Sequence, residues 1–154
     1  TFEPVARLEF KVKYDKKYKW TEGAEKIHGL SRVHLEAEGL TTEEAAVTLG
    51  GFLLDHFGPT GKIMFLGHNP QFDIAAMRQL LEPFDIMPNL HHVVLDTSAL
   101  GWITVGKFKS NDLFEFFLGG RPEKHGALND AEMTLTVART VRELMNGALA
   151  GIEV

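Results

Sequence analysis

The stretch KIMFLGHNPQFDIAAMRQLLEPF, residues 62–84, constrains the fold more than any other part of the chain. Ile63 to Leu66 form a continuous apolar run, the pattern of a strand buried on both faces. Gly67-His68-Asn69-Pro70 ends it, with Asn69 suited to cap a helix and Pro70 to open one; His68 and Asn69 also stand at the end of a buried strand, where ligand sites often lie in alternating folds. A helix follows to about Leu81, before Glu82-Pro83. HHVVLDTSAL, residues 91–100, then reads as a second short buried strand and a turn, with His91-His92 in a solvated loop and Asp96 in a capping role. Strand, helix and strand in this order predict a parallel pair joined by a crossover helix, hence an α/β fold.

The flanking sequence adds further elements. Residues 8–14 alternate strictly between apolar and polar, which predicts a half-buried strand over 5–14 of antiparallel character. DKKYKWTEGAEK reads as a polar connection and IHGLS as a short turn. Thr41 or Thr42, with Glu44, opens a helix TTEEAAVTLGGFLLDHF. SNDLFEFFLGG is an amphipathic helix closed by glycine, and a long helix runs from about Gly126 to Asn146-Gly147. The expected architecture is a mixed sheet flanked by helices, in one domain spanning residues 1–154.

Two helices carry an acid where an apolar residue belongs. At about 100° per residue, Asp130 shares a stripe with Thr134, Val137, Val141 and Leu144, while Glu132, Arg139, Arg142 and Glu143 lie opposite. Asp73 shares a stripe with Met77, Leu80 and Phe84, opposite Gln71, Arg78, Gln79 and Glu82. The helix dipole favours acids in a first turn, but on any face. A carboxylate on the core face needs a partner, because an unpaired buried charge is very costly. A metal, backbone donors or a cation such as Arg78 or Arg121 would serve; a shared metal is the reading favoured here. His125, before Gly126, can join the same site only from ahead of the helix, where an imidazole could act as a general base; an exposed loop histidine is the alternative.

Composition narrows the chemistry. The chain has no cysteine, so any metal is held by oxygen or imidazole, which favours magnesium or manganese. Its net charge of −5 argues against strong non-specific duplex binding, but a short groove for single strands is compatible with it. No apolar run approaches a membrane span, and no signal-peptide pattern opens the chain, so no membrane partner and a cytoplasmic or other intracellular location are expected. G-x-S-x-G, Walker A and G-x-G-x-x-G motifs are absent.

GHNPQFDIAAM resembles the second motif of the DEDDh 3′→5′ exonucleases, of the DnaQ-like proofreading type, and HGALNDAEMT resembles their third. IHGLS resembles the loop before that family's first long helix, and LDTSALGW and SNDLFEFFLGG the strand and small helix between the two motifs. The resemblance covers essentially the whole chain in order. It implies a ribonuclease-H-like fold, two magnesium or manganese ions, and hydrolysis of terminal phosphodiesters at single-stranded DNA or RNA 3′ ends, as in DNA replication or repair. By this resemblance Asp73 and Asp130 are metal ligands and His125 the general base. His28, Gly29, Leu30, Asn69 and Phe72 match substrate-contacting positions. It also implies a polymerase or a second copy of the chain as a partner.

One motif departs from the family. Its first, an Asp-x-Glu on the first strand followed by Thr-Thr-Gly, is not found; Thr1-Phe2-Glu3 is only superficially similar. Residues 2–14 match later strands, so the first strand is expected upstream of residue 1. Residues 1–154 alone are then expected to be inactive, with the complete protein the exonuclease. The alternative is a catalytically inactive ribonuclease-H-like domain that binds nucleic acid or a protein.

Overall fold

The computed structural model describes residues 3–120 and 126–150. The described part is an α/β arrangement of seven α-helices and a two-stranded parallel sheet. In chain order these are α1 (Glu22–His28), α2 (Arg32–Glu38), α3 (Thr42–Phe57), β1 (Ile63–Gly67), α4 (Gln71–Leu81), β2 (Leu90–Asp96), α5 (Thr97–Val105), α6 (Ser110–Leu118) and α7 (Ala127–Leu149).

The strand–helix–strand unit forms as expected. β1 pairs with β2 in parallel, Phe65 with Val94, Leu66 with Leu95 and Gly67 with Asp96, and α4 makes the crossover. The register shifts between Ile63 and Phe65, so the extra length of β2 falls around His91 and His92. Those histidines are strand residues with stacked rings 4.3 Å apart, where a solvated loop was expected. Nor is β1 buried on both faces. Met64 is 51% exposed, because the pair presents one face to solvent.

A pair of strands is not stable alone and needs a helical backing. α7 supplies it, packing against β1, α5 and α6, while α3 packs on α4. The core lies between α6 and α7: Leu113 and Phe114 meet Met133, Val137 and Val141. Gly101 lets α5 approach, since a Cβ there would fall 2.4 Å from Leu113 and 2.6 Å from the Lys107 carbonyl. Thr41 caps α3 in a full capping box with Glu44, and Gly119 ends α6 in a left-handed conformation, both as the sequence predicts. α7 continues beyond Asn146-Gly147 to Leu149, and Leu144 on the apolar stripe is exposed.

The N-terminal expectations change most. Residues 5–14 form no strand; their one ladder contact is a parallel bridge from Val12 to Leu40. Alternation prepares a segment for a sheet, but a strand exists only where its backbone groups find a partner. The antiparallel component of the sheet is therefore not seen among the described residues. Residues 3–10 are instead held to α7 by ion pairs, Arg7 with Glu132 and Glu3 with Arg139. The polar connection contains α1, and α5 replaces the expected turn after β2.

Candidate functional site

The site is built where the two parallel strands end. Gly67 closes β1, and a Cβ there would fall 2.9 Å from Pro70, so glycine lets the chain fold straight back into α4. The buried Thr97 donates its hydroxyl to the Gly67 carbonyl at 3.3 Å and lies 3.1 Å from His68 Nδ1. Asp96 caps α5: its Oδ1 accepts from the Ser98 amide at 2.8 Å and from the Asn69 amide at 3.1 Å. Partial burial pushes the Asp96 pKa up, but these hydrogen bonds and the nearby His68 outweigh it and hold the group below its ordinary value. The ends of β1 and β2 are thus tied across the parallel pair, at the edge where open α/β sheets usually place ligands.

A cavity of about 440 Å³ opens beside this junction. β1 contributes Phe65 to Gly67, followed by His68; α4 contributes Asp73, α6 Ser110 and Phe114, and α7 Ala127, Asp130 and Thr134. The two acids singled out by helical periodicity, from helices far apart in sequence, therefore line one space. Both sit in first turns, where helix dipoles favour the ionised form. Asp130 is half-buried and its Oδ1 is shut off from water. Asp73 is exposed, not on the core face expected for it, because Ile74 and Leu81 form the buried side of α4; partial desolvation of its carboxyl still raises its pKa, and no positive charge offsets this. Arg78 is exposed in the last turn of α4 and does not neutralise it. Asp73, Ala127 and Ala131 also border a second cavity of about 630 Å³, between residues 4–10, α3 and α7.

The remaining expected residues are dispersed. His125 and Arg121 lie outside the described residues. Asn69 does not cap α4: its φ of +55° is left-handed, where an N-cap needs extended backbone, and Pro70 takes the cap position. Phe72 is 76% exposed on the outer side of α4, away from the cavity. His28 ends α1, and Gly29, with φ of +68°, and Leu30 follow it; His28 Nδ1 accepts from the Leu30 amide at 2.9 Å, and none of the three lines the cavity. The cavity gains residues that periodicity did not single out, Ser110 and above all His68. The position of His68 at the carboxyl end of a parallel strand was the available signal.

Two carboxylates, an imidazole and a hydroxyl around one space suit a hard cation or a proton. Magnesium commonly takes one or two carboxylates and completes its shell with water and phosphate oxygens. Asp73 and Asp130 are the two acids that line this cavity. Among the described residues no group of three or more His, Asp or Glu gathers as a ligand set. No helix among the described residues is long and apolar enough to cross a membrane. No family model matches the chain, and no curated protein matches it significantly.

Proposed function

We propose that the chain carries the metal-holding part of a 3′→5′ exonuclease of the DEDDh type, on a ribonuclease-H-like fold. The observation that supports this most is the convergence of Asp73 and Asp130 on one cavity at the carboxyl end of β1. Among the described residues β1 has a strand neighbour on one side only, and residues 4–10, which form no strand, line the adjoining cavity, a space in keeping with a wider mixed sheet.

In this reading Asp73 and Asp130 hold a magnesium or manganese ion, with water and substrate oxygens completing its shell. Such an ion, when bound, makes a water more acidic and draws charge from the scissile phosphate. His125 takes the proton of the attacking water and passes it to solvent. Thr97 and Asp96 keep the strand ends in place, and Gly67 keeps the first turn of α4 against them. The substrate is a single-stranded DNA or RNA 3′ end.

A second reading has its own support: with two acids but no third donor gathered among the described residues, the domain binds nucleic acid or a protein without cleaving it. One assay separates the two. The complete protein is given 5′-labelled single-stranded DNA or RNA with manganese. The nuclease reading expects products shortened from the 3′ end, lost with a chelator or with Asp130→Asn. Intact substrate under all conditions, or cleavage indifferent to Asp130→Asn, would overturn it.

A further inference from the structure

The overall charge of −5 conceals a sharp division. Residues 7–32 contain eight of the sixteen Lys and Arg but four of the 21 acids, a local charge of +4 against −9 for the rest. The densest part, KVKYDKKYKW at residues 11–20, interleaves five lysines with two tyrosines and a tryptophan. We propose that the turn from Tyr14 to Trp20, with Arg32 beside it, docks the phosphate backbone of a single-stranded nucleic acid.

The turn is built rather than loose. The Lys17 amide donates to Asp15 Oδ1 at 3.0 Å, the Tyr18 amide to the Asp15 carbonyl at 3.0 Å, and the Tyr14 hydroxyl to the Tyr18 carbonyl at 2.6 Å. Lys16 to Lys19 are all exposed. Lys11 is engaged by Glu38 at 2.7 Å and Lys17 by Asp15 at 3.1 Å, whereas Lys16 and Lys19 pair with no acid among the described residues. Like charges held together at a fixed tip carry a repulsive cost, which an approaching polyanion relieves.

The aromatic residues set the kind of polyanion. Trp20 meets Tyr14 edge to face at 5.3 Å, and the exposed Arg32 guanidinium lies over both rings, at 4.6 Å from Tyr14 and 5.1 Å from Trp20. A planar cation already stacked on rings, beside lysines and an exposed Tyr18, suits phosphates with unstacked bases between them. A membrane surface would instead call for an apolar wedge, and Tyr14 and Trp20 are half-buried with their rings engaged.

The surroundings supply a track. A groove of about 470 Å³ runs from Tyr14 and Tyr18 to Ala76 and Gln79 of α4. Those two α4 residues also border a groove of about 530 Å³ that carries the exposed Phe72. A strand seated on the lysines can thus follow α4, roughly 16 Å long, towards the turn that bears Asp73. Only this destination rests on the exonuclease reading; the docking itself does not.

The test uses the full 154-residue chain with a chelator present, so that no metal takes part. Fluorescence anisotropy follows labelled oligothymidylate and oligouridylate over a salt series. The triple variant Lys16→Ala, Lys17→Ala, Lys19→Ala is expected to bind at least tenfold more weakly at low salt. The slope of log affinity against log salt should fall by about 2, at roughly 0.7 per phosphate contact. The corresponding triple arginine variant should bind as wild type. Unchanged affinity and slope in the alanine variant would overturn the proposal. So would lysine-dependent binding to phosphatidylserine vesicles with none to oligonucleotide. Lysine-dependent binding without hydrolysis by the complete protein would sink the nuclease reading and leave this one standing.

Discussion

Three segments of this chain carry strand patterns, and only two of them are strands. Residues 63–67 find a parallel partner in 90–96, and the ends of the pair are tied together by Thr97 and by the Asp96 contact with Asn69. Residues 5–14 alternate as cleanly but meet one bridge partner and lean on α7 through exposed ion pairs. The difference teaches that periodicity selects a face while pairing makes the element. It also separates the molecule into a region fixed by burial and hydrogen bonds and one held by screened charge.

Substitutions should expose this contrast in graded fashion. The largest effect is expected from Leu113→Ala in the fully buried α6–α7 core, a loss of about 2–5 kcal/mol in chemical denaturation. A loss below about 1 kcal/mol would mean that this is not the core. Next comes Asp96→Ala, which removes the α5 cap and the tie to Asn69 and should cost about 0.5–2 kcal/mol. Because the Asp96 pKa lies below its ordinary 3.8, its contribution is present above that pH and fades as the pH falls through the folded-state value. Stability of the variant relative to wild type should therefore recover in acid.

Arg7→Ala should cost at most about 1 kcal/mol, and nothing measurable at high salt, since its pair with Glu132 is exposed. An effect that persists in high salt would place residues 3–10 in the fixed region. The smallest effect is one of sign. The folded-state pKa of Asp73 lies above 3.8, so the folded state holds this proton more tightly and stability falls as the pH rises through that window. Asp73→Asn should accordingly be the more stable protein at neutral pH in metal-free buffer, with the gain gone below about pH 4. Destabilisation at neutral pH by that change would contradict the partial desolvation of this carboxyl.

Local rules explain what the sequence made legible. The capping box of Thr41 and Glu44, the glycine after α6 and the stripes carrying Asp73 and Asp130 depend on residues within a few turns of one another. What stayed hidden depends on distant partners. Asn69 looks like a cap, but Asp96, on the neighbouring strand, takes its amide and leaves it in a left-handed turn. α1 and α2 are short and carry little apolar periodicity, so the Ser31 cap of α2 was too slight a local signal to announce them. His68, by contrast, was legible from its place at the end of the apolar run, and it lines the cavity because β1 ends there.

The central claim is that Asp73 and Asp130 share one cation site. Isothermal calorimetry with manganese tests it directly, on wild type, Asp73→Asn and Asp130→Asn, with circular dichroism confirming that each variant is folded. The account predicts one binding event in the wild type, weakened at least tenfold by either change. Absence of binding, or binding that neither variant alters, would contradict it.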